Sequence, residues 1–223
     1  MGQKVNPQVL RLGVIYNWES RWFDSKKNYK TTLLEDYKLR TAIMEKLRYA
    51  GIARVEIERS INSVKIIVFV SRPGMVIGRA GTGLEDLKKF IMGIFKKIDP
   101  KKVGKNAPKV DIRVEAVKEP NLDAYLVAKN ISEQLIKRLP FKRILNQNAE
   151  RVMGAGAKGV KILLAGRING AEISRREKIH MGTVPLSTIR EHVSFASVPS
   201  LTKKGYIGVK VWINSNKDEG RKN

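Results

Sequence analysis

The chain has no cysteine among its 223 residues. That excludes a disulfide framework, a thiol nucleophile and any zinc site built on thiolates. Histidine occurs twice, at His180 and His192, with no carboxylate at metal-ligand spacing, so neither a metal ion nor a histidine base is expected. No stretch matches GxxxxGK[ST], which leaves a P-loop nucleotidase unsupported. No apolar run approaches the ~20 residues of a membrane span. The opening MGQKVNPQVLRLG sets Lys4, Asn6, Pro7 and Arg11 where a secretion signal carries an unbroken apolar core. Asn6 also stands where a myristoylation signal has Ser or Thr. The expected setting is aqueous and unsecreted, with no membrane partner.

Acidic residues are scarce too. Twenty-one Asp and Glu face 44 Lys and Arg, a formal net charge of +23. Such self-repulsion calls for a polyanionic partner. The excess is spread along the chain: +13 over residues 1–118 and +10 over residues 119–223. Both halves are therefore expected to face the polyanion.

Hydrophobic residues still make up 42% of the chain and recur periodically, so most of it should fold. Residues 1–30, with Pro7, Gly13 and the cluster Tyr16, Trp18, Trp22 and Phe23, form an irregular N-terminal extension. Leu39, Ile43, Leu47 and Ala50 mark a helix that Gly51 stops. Strands are expected at Arg54–Arg59 and Val64–Val70, with Ile61–Ser63 as the turn between them. A short apolar helix, Met75–Ile77, precedes Gly78-Arg79-Ala80-Gly81. Thr82 and Glu85 fit a capping box for the helix bearing Leu84, Leu87, Ile91, Ile94, Phe95 and Ile98. Residues 99–108 form a basic loop, and Val110 to Ala116 alternate as a half-buried strand. The fold class is therefore α+β: an αββααβ domain over 31–118, then a C-terminal α+β domain over 119–213. The second domain comprises helices Leu122–Leu139 and Phe141–Ala155 and strands near Val160–Ala165, Ala171–His180, Ile189–Ser197 and Tyr206–Ile213. The tail 214–223 is polar, charged and expected to be mobile.

The chemistry is expected at Gly78, Arg79, Ala80 and Gly81. Glycines lacking Cβ let the backbone turn sharply and let a phosphate approach it. The second glycine precedes a helix whose amide groups and dipole favour an anion, and Arg79 adds a charge. In the order strand, short helix, GxxG, helix, strand, the segment reads as a type II KH domain, a module that clamps single-stranded nucleic acid. Gly154, Gly156 and Gly159 match GxGxxG literally, but helix precedes and strand follows, the reverse of a dinucleotide site.

Several segments in order resemble bacterial small-subunit ribosomal protein three. They are MGQKVNP with Arg11-Leu12-Gly13, Trp18, Ser20, Arg21 and Trp22; SRPGMVIGRAG; AKGVKILLAGRINGAEISR; Val184-Pro185-Leu186; and IGVKVWI. The resemblance spans nearly the whole chain. It implies a structural constituent of the small subunit in the cytoplasm, with an organellar ribosome as the alternative, not an enzyme and with no cofactor. It implies binding to rRNA in the subunit head and contact with mRNA at the channel entrance. Neighbours would be small-subunit proteins ten and fourteen, with four and five across that entrance.

In that family a basic helix surface lines the entrance and helps separate paired mRNA. The matching positions are Lys142, Arg143, Asn146 and Gln147, which share one helical face. Asn146 and Gln147 replace basic residues usual in relatives, so weaker unwinding is expected; a merely solvated face is the alternative. Ala80 is a similar departure, because relatives often have two basic residues between the glycines. Lys4, Arg11, Arg72, Lys88, Lys89, Arg167, Arg175, Arg176 and Lys178 are further candidates for rRNA phosphate contacts. A regulatory KH protein outside the ribosome is the competing reading.

Overall fold

The computed structural model describes residues 4–61, 63–98 and 109–215. Two compact units emerge: the described part of Trp18–Lys118, and residues 4–17 together with 119–215.

The first unit is the expected αββααβ arrangement with one small addition. Helix α2 (Tyr29–Lys46) buries Leu39 and Ile43 on one side. A single 3₁₀ turn, Arg48–Ala50, then leads to Gly51, whose φ of 69° reverses the chain. Strand β2 (Ile52–Arg59) pairs antiparallel with β3 (Ser63–Val70), matching Val55 with Val68. Strand β4 (Lys109–Ala116) runs parallel to β3, and a parallel pair needs a crossover. Helices α3 (Pro73–Ile77) and α4 (Thr82–Ile98) belong to it. The two-residue β1 (Ser20–Arg21) joins β2 in parallel, giving the order β1-β2-β3-β4. Alternation sends Val55, Ile57, Val64, Ile66, Val68, Val70 and Val110 to one side, where they meet Leu39, Ile43, Val76, Leu87, Ile91 and Phe95. Each such side chain contributes about 1.5–3 kcal/mol through burial.

The second unit opens with α1 (Pro7–Leu10), whose first turn is closed by the Asn6 side chain accepting from the Gln8 amide at 2.9 Å. Helices α5 (Ala124–Ile136) and α6 (Phe141–Gly154) lie on one face of an antiparallel sheet. Its strands are β5 (Ala157–Gly166), β6 (Arg175–Gly182), β7 (His192–Thr202) and β8 (Gly205–Ser215), ordered β6-β5-β8-β7. Val160, Ile162, Leu164, Val209, Val211 and Ile213 meet Ala128, Ile131, Ile144, Leu145, Ala149 and Val152 in its core.

Several boundaries differ from the sequence expectation for identifiable reasons. Helix α5 starts at Ala124 because the Asp123 carboxylate accepts from the Tyr125 and Leu126 amides at 2.9 and 3.0 Å; Leu122 belongs to a preceding 3₁₀ turn. It ends at Ile136, and Arg138 follows in left-handed backbone at φ 60°. Strand β7 runs on through Pro199, which an edge strand tolerates because its outward side needs no N–H donor. Strand β6 starts only at Arg175, after a 3₁₀ turn Ile168–Gly170 with Asn169 at φ 56°. Asn214 and Ser215, expected in the tail, are buried residues of β8. The rest of that tail, the basic loop 99–108 and Asn62 of the expected hairpin turn lie outside the described residues.

Candidate nucleic-acid interface

The glycine loop is built by the shortness of α3. Pro73 opens that helix, and after Ile77 the chain turns at Gly78, with φ 71° and ψ −176°. A Cβ there would stand 2.9 Å from the Gly83 amide nitrogen in strained backbone, so glycine is required. Arg79–Gly81 make one 3₁₀ turn in which Ala80 (φ 51°) and Gly81 (φ 81°) are both left-handed. A non-glycine residue in that region stores of order 1–3 kcal/mol. The Thr82 hydroxyl donates to the Arg79 carbonyl at 2.9 Å, and Thr82 already has helical φ and ψ. It therefore ties the loop to α4; the expected capping box, which needs an extended N-cap residue, does not form.

Gly78, Arg79 and Ala80 are exposed, and Gly81 is half-buried. Met75 and Ile77 on α3 are exposed as well. Along β4, whose far edge has no strand neighbour among the described residues, burial falls from Val110 through Ile112 and Val114 to exposed Ala116. Both α3 and α4 pack on β4. The loop thus borders open apolar surface on one side and exposed cations, Arg72, Lys88 and Lys89, on neighbouring turns.

On α6 the inward residues are Phe141, Ile144, Leu145, Asn148, Ala149 and Val152, so Lys142, Arg143, Asn146 and Gln147 all point outward. The helix is held to α5 by an amide cluster centred on buried Asn148. The Asn148 side-chain NH₂ donates to Gln134 at 3.0 Å and to the Ile144 carbonyl at 2.7 Å, while Asn130 donates to the Asn148 oxygen at 3.3 Å. Arg175 lies with its guanidinium carbon 5.9 Å from the centre of the Phe141 ring. A third cation therefore stands close to the start of α6.

The other sequence candidates scatter. Lys4 and Arg167 are exposed, and the Arg167 Nε donates to the Ala171 carbonyl at 2.8 Å. Arg176 and Lys178 are exposed on the face of β6 opposite the helices, away from Arg175. Arg11 does not fit a phosphate contact. It is 0% exposed, and its guanidinium donates to five backbone carbonyls: Glu191 (2.7 Å), Pro7 (2.9 Å), Thr188 (2.8 Å), Pro185 (3.1 Å) and Leu186 (3.3 Å). It latches the N-terminal segment to the loop before β7. Beside it the Tyr16 hydroxyl and His192 Nδ1 lie 3.1 Å apart.

Two cations that the sequence reading missed, Lys161 and Lys210, share a face with Arg176 and Lys178. Period-two spacing at 176, 178 and 180 was the available signal, but grouping it with Lys161 and Lys210 requires the strand register. Burial first, then the charges of Lys4 and Lys178, hold the Lys161 ammonium below its ordinary pKa. Among the described residues, no three His, Asp or Glu side chains gather as a metal site would.

Comparison with known proteins covers both units. A family described as KH domain matches residues 38–122, and one described as ribosomal protein S3, C-terminal domain, matches residues 131–213. A protein named small ribosomal subunit protein uS3 from Desulforamulus reducens is 45% identical over 213 residues, covering 96% of this chain and 91% of its own length. Proteins of the same name from Caldicellulosiruptor saccharolyticus and Lactobacillus helveticus are each 44% identical, covering 96% of this chain and 91% and 90% of their own lengths.

Proposed function

The chain belongs to the family of small ribosomal subunit protein uS3, and on that premise we propose that it holds rRNA in the subunit head and meets mRNA at the channel entrance. Membership makes it an RNA-binding structural component of the small subunit, in the cytoplasm, and not an enzyme. The observation that carries the RNA reading is the glycine loop: left-handed backbone at Gly78, Ala80 and Gly81 presents exposed Arg79 beside the start of α4. An anion there gains the helix dipole and a side-chain charge together.

The mRNA reading rests on the outward row of α6. Lys142 and Arg143 supply charge on its first turn, while Asn146 and Gln147 supply only hydrogen-bonding amides on the next. This arrangement suits contact with a phosphate backbone and weak assistance to unwinding. Arg72, Lys88, Lys89, Arg167, Arg175, Arg176, Lys178 and Lys4 remain proposed rRNA contacts; Arg11 leaves that group because it is fully buried among backbone carbonyls. Proteins ten and fourteen are the proposed neighbours, with four and five across the entrance.

Tagged full-length chain should sediment in stoichiometric amounts with small subunits; its absence from them would defeat the ribosomal reading. Asn146→Lys should raise translation through a stable mRNA hairpin. An unchanged yield would remove the unwinding part and leave the rest standing.

A further inference from the structure

Lys161 stands among cations that no acid interrupts. It lies on the side of β5 turned away from the helices, directly across from His180 of β6 and from Trp212 of β8. Two positions along the same side, Leu163 is flanked by Lys178 and Lys210, and Arg176 follows Lys178 on β6. Such positions are about 6.8 Å apart, within the reach of lysine side chains. Strand β7 sets the uncharged Phe195 and Ser197 beside Trp212 and Lys210. Among the described residues of β5 to β8, no Asp or Glu points to this side: Glu177 faces the other way and lies 3.8 Å from Arg175.

Lys161 differs from its neighbours in exposure. Lys178 and Lys210 stand in water, whereas Lys161 is half-buried with its ammonium 5.3 Å from the centre of the Trp212 ring. That ring attracts the charged form. Burial first, then the charges of Lys4 and Lys178, work the other way and favour release of the proton. The free amine is the nucleophilic form of lysine, and neighbouring cations are one of the means of producing it. The same cations attract an anion. A nucleophile and a seat for a negatively charged reagent therefore share one surface.

We propose that Lys161 is a site of non-enzymatic acylation by acyl phosphates, the small mixed anhydrides of a carboxylic acid and phosphoric acid. The phosphoryl end rests against Lys178, Lys210 and Lys4, and the acyl carbon meets the Lys161 amine. The amine lone pair forms the new N–C bond while the bond from the acyl carbon to the phosphate oxygen breaks. Phosphate leaves with that electron pair and takes up the surplus amine proton, giving an amide and hydrogen phosphate. Nothing is oxidised or reduced. The cluster loses one positive charge. The inference goes beyond the ribosomal reading and does not depend on it, because the reaction needs only the folded chain.

Full-length chain freed of RNA is incubated with acetyl phosphate near neutral pH, and the acetylation rate of each lysine is followed by peptide mass spectrometry. Lys161 should react faster than exposed Lys38 of α2 by about fivefold or more, and the difference should vanish in urea. With a neutral acetyl ester as the reagent, its rate should reach half-maximum at a pH below the ordinary 10.5. Lys178→Gln, at an exposed position, should slow the reaction of Lys161 with acetyl phosphate by about threefold or more, and with the neutral ester by less; Lys38 serves as the internal reference. Equal rates at Lys161 and Lys38 in the folded chain would overturn the proposal. So would a Lys178→Gln variant whose Lys161 reacts with acetyl phosphate as the wild type does.

Discussion

On the outer face of the KH sheet, cations and carboxylates alternate; on that of the C-terminal sheet, cations stand without carboxylates. In the first, Arg21 lies 3.5 Å from Glu56 and 3.3 Å from Glu58, Arg54 lies 3.0 Å from Glu56, Lys65 2.9 Å from Glu58, and Arg113 3.6 Å from Asp111. In the second, the same strand periodicity presents Arg176, Lys178, Lys161 and Lys210. The half with the larger net charge, +13, thus carries the self-neutralised sheet. Net charge says that a polyanion is near; which face meets it depends on where the acids are.

The contrast extends to one arginine in each unit, half-buried Arg59 and fully buried Arg11. In the KH unit Arg59 donates to Glu35 at 2.8 Å and to Asp36, which also accepts from the Trp22 indole at 2.7 Å. In the C-terminal unit Arg11 is enclosed by carbonyl oxygens. One site neutralises charge with charge, the other solvates it with peptide dipoles.

Substitutions can break this contrast in order of effect. Arg59→Met removes the guanidinium that buried Glu35 and Asp36 both accept from and should destabilise the KH unit by about 3–5 kcal/mol in urea titration of the full chain. A loss below about 1 kcal/mol would mean the carboxylates find other partners. Arg11→Met strands carbonyls rather than charges, so the loss in the C-terminal unit should be smaller, about 2–3 kcal/mol. If it exceeds the Arg59 loss, carbonyl solvation is the stronger arrangement here.

Glu58→Gln should cost only a few tenths of a kcal/mol, since the carboxylate is partly exposed and screened. The hydrogen bond from Lys65 is the main cause holding the Glu58 carboxyl below its ordinary 4.5, with Lys65, Arg21 and Arg113 charges adding to it against the opposing effect of burial. A depressed folded pKa stabilises above the unfolded value and is lost as pH falls through the folded one. Wild type and Glu58→Gln should therefore converge in stability only below about pH 4.5, and convergence at neutral pH would show that the pair contributes nothing. Smallest of all, Arg113→Gln should change oligouridylate affinity by less than about twofold, because its face is already neutralised.

Much of the KH unit was legible because its signals are local: the β-branched run of β3, the glycines at 78 and 81, and the apolar stripe of α4. Periodicity likewise located α6 and most of β5 and β8. Asp123 could have corrected the start of α5, but the apolar Leu122 before it extended the apparent helix. The expected Ile189–Ser197 strand stops short of Pro199, whose tolerance in β7 depends on an edge position that only the sheet order reveals. Arg11 was misjudged for a different reason. An arginine in an irregular basic segment resembles a surface charge, and the five carbonyls that bury it are contributed mostly by residues more than 170 positions away. The cationic sheet face was hidden in the same way, since it joins residues from 161 to 210 through register alone.

The Arg11 latch also sets a timetable for synthesis. Its partner carbonyls at Pro185 and Glu191 lie 174 and 180 residues downstream. At about 5–20 residues per second, roughly 9–36 s separate the appearance of the arginine from that of the groups that enclose it. Trp18–Lys118 is contiguous and complete long before then. Residues 4–17 therefore belong to the unit that is completed last, and until the loop before β7 emerges Arg11 lacks four of the five carbonyls that enclose it.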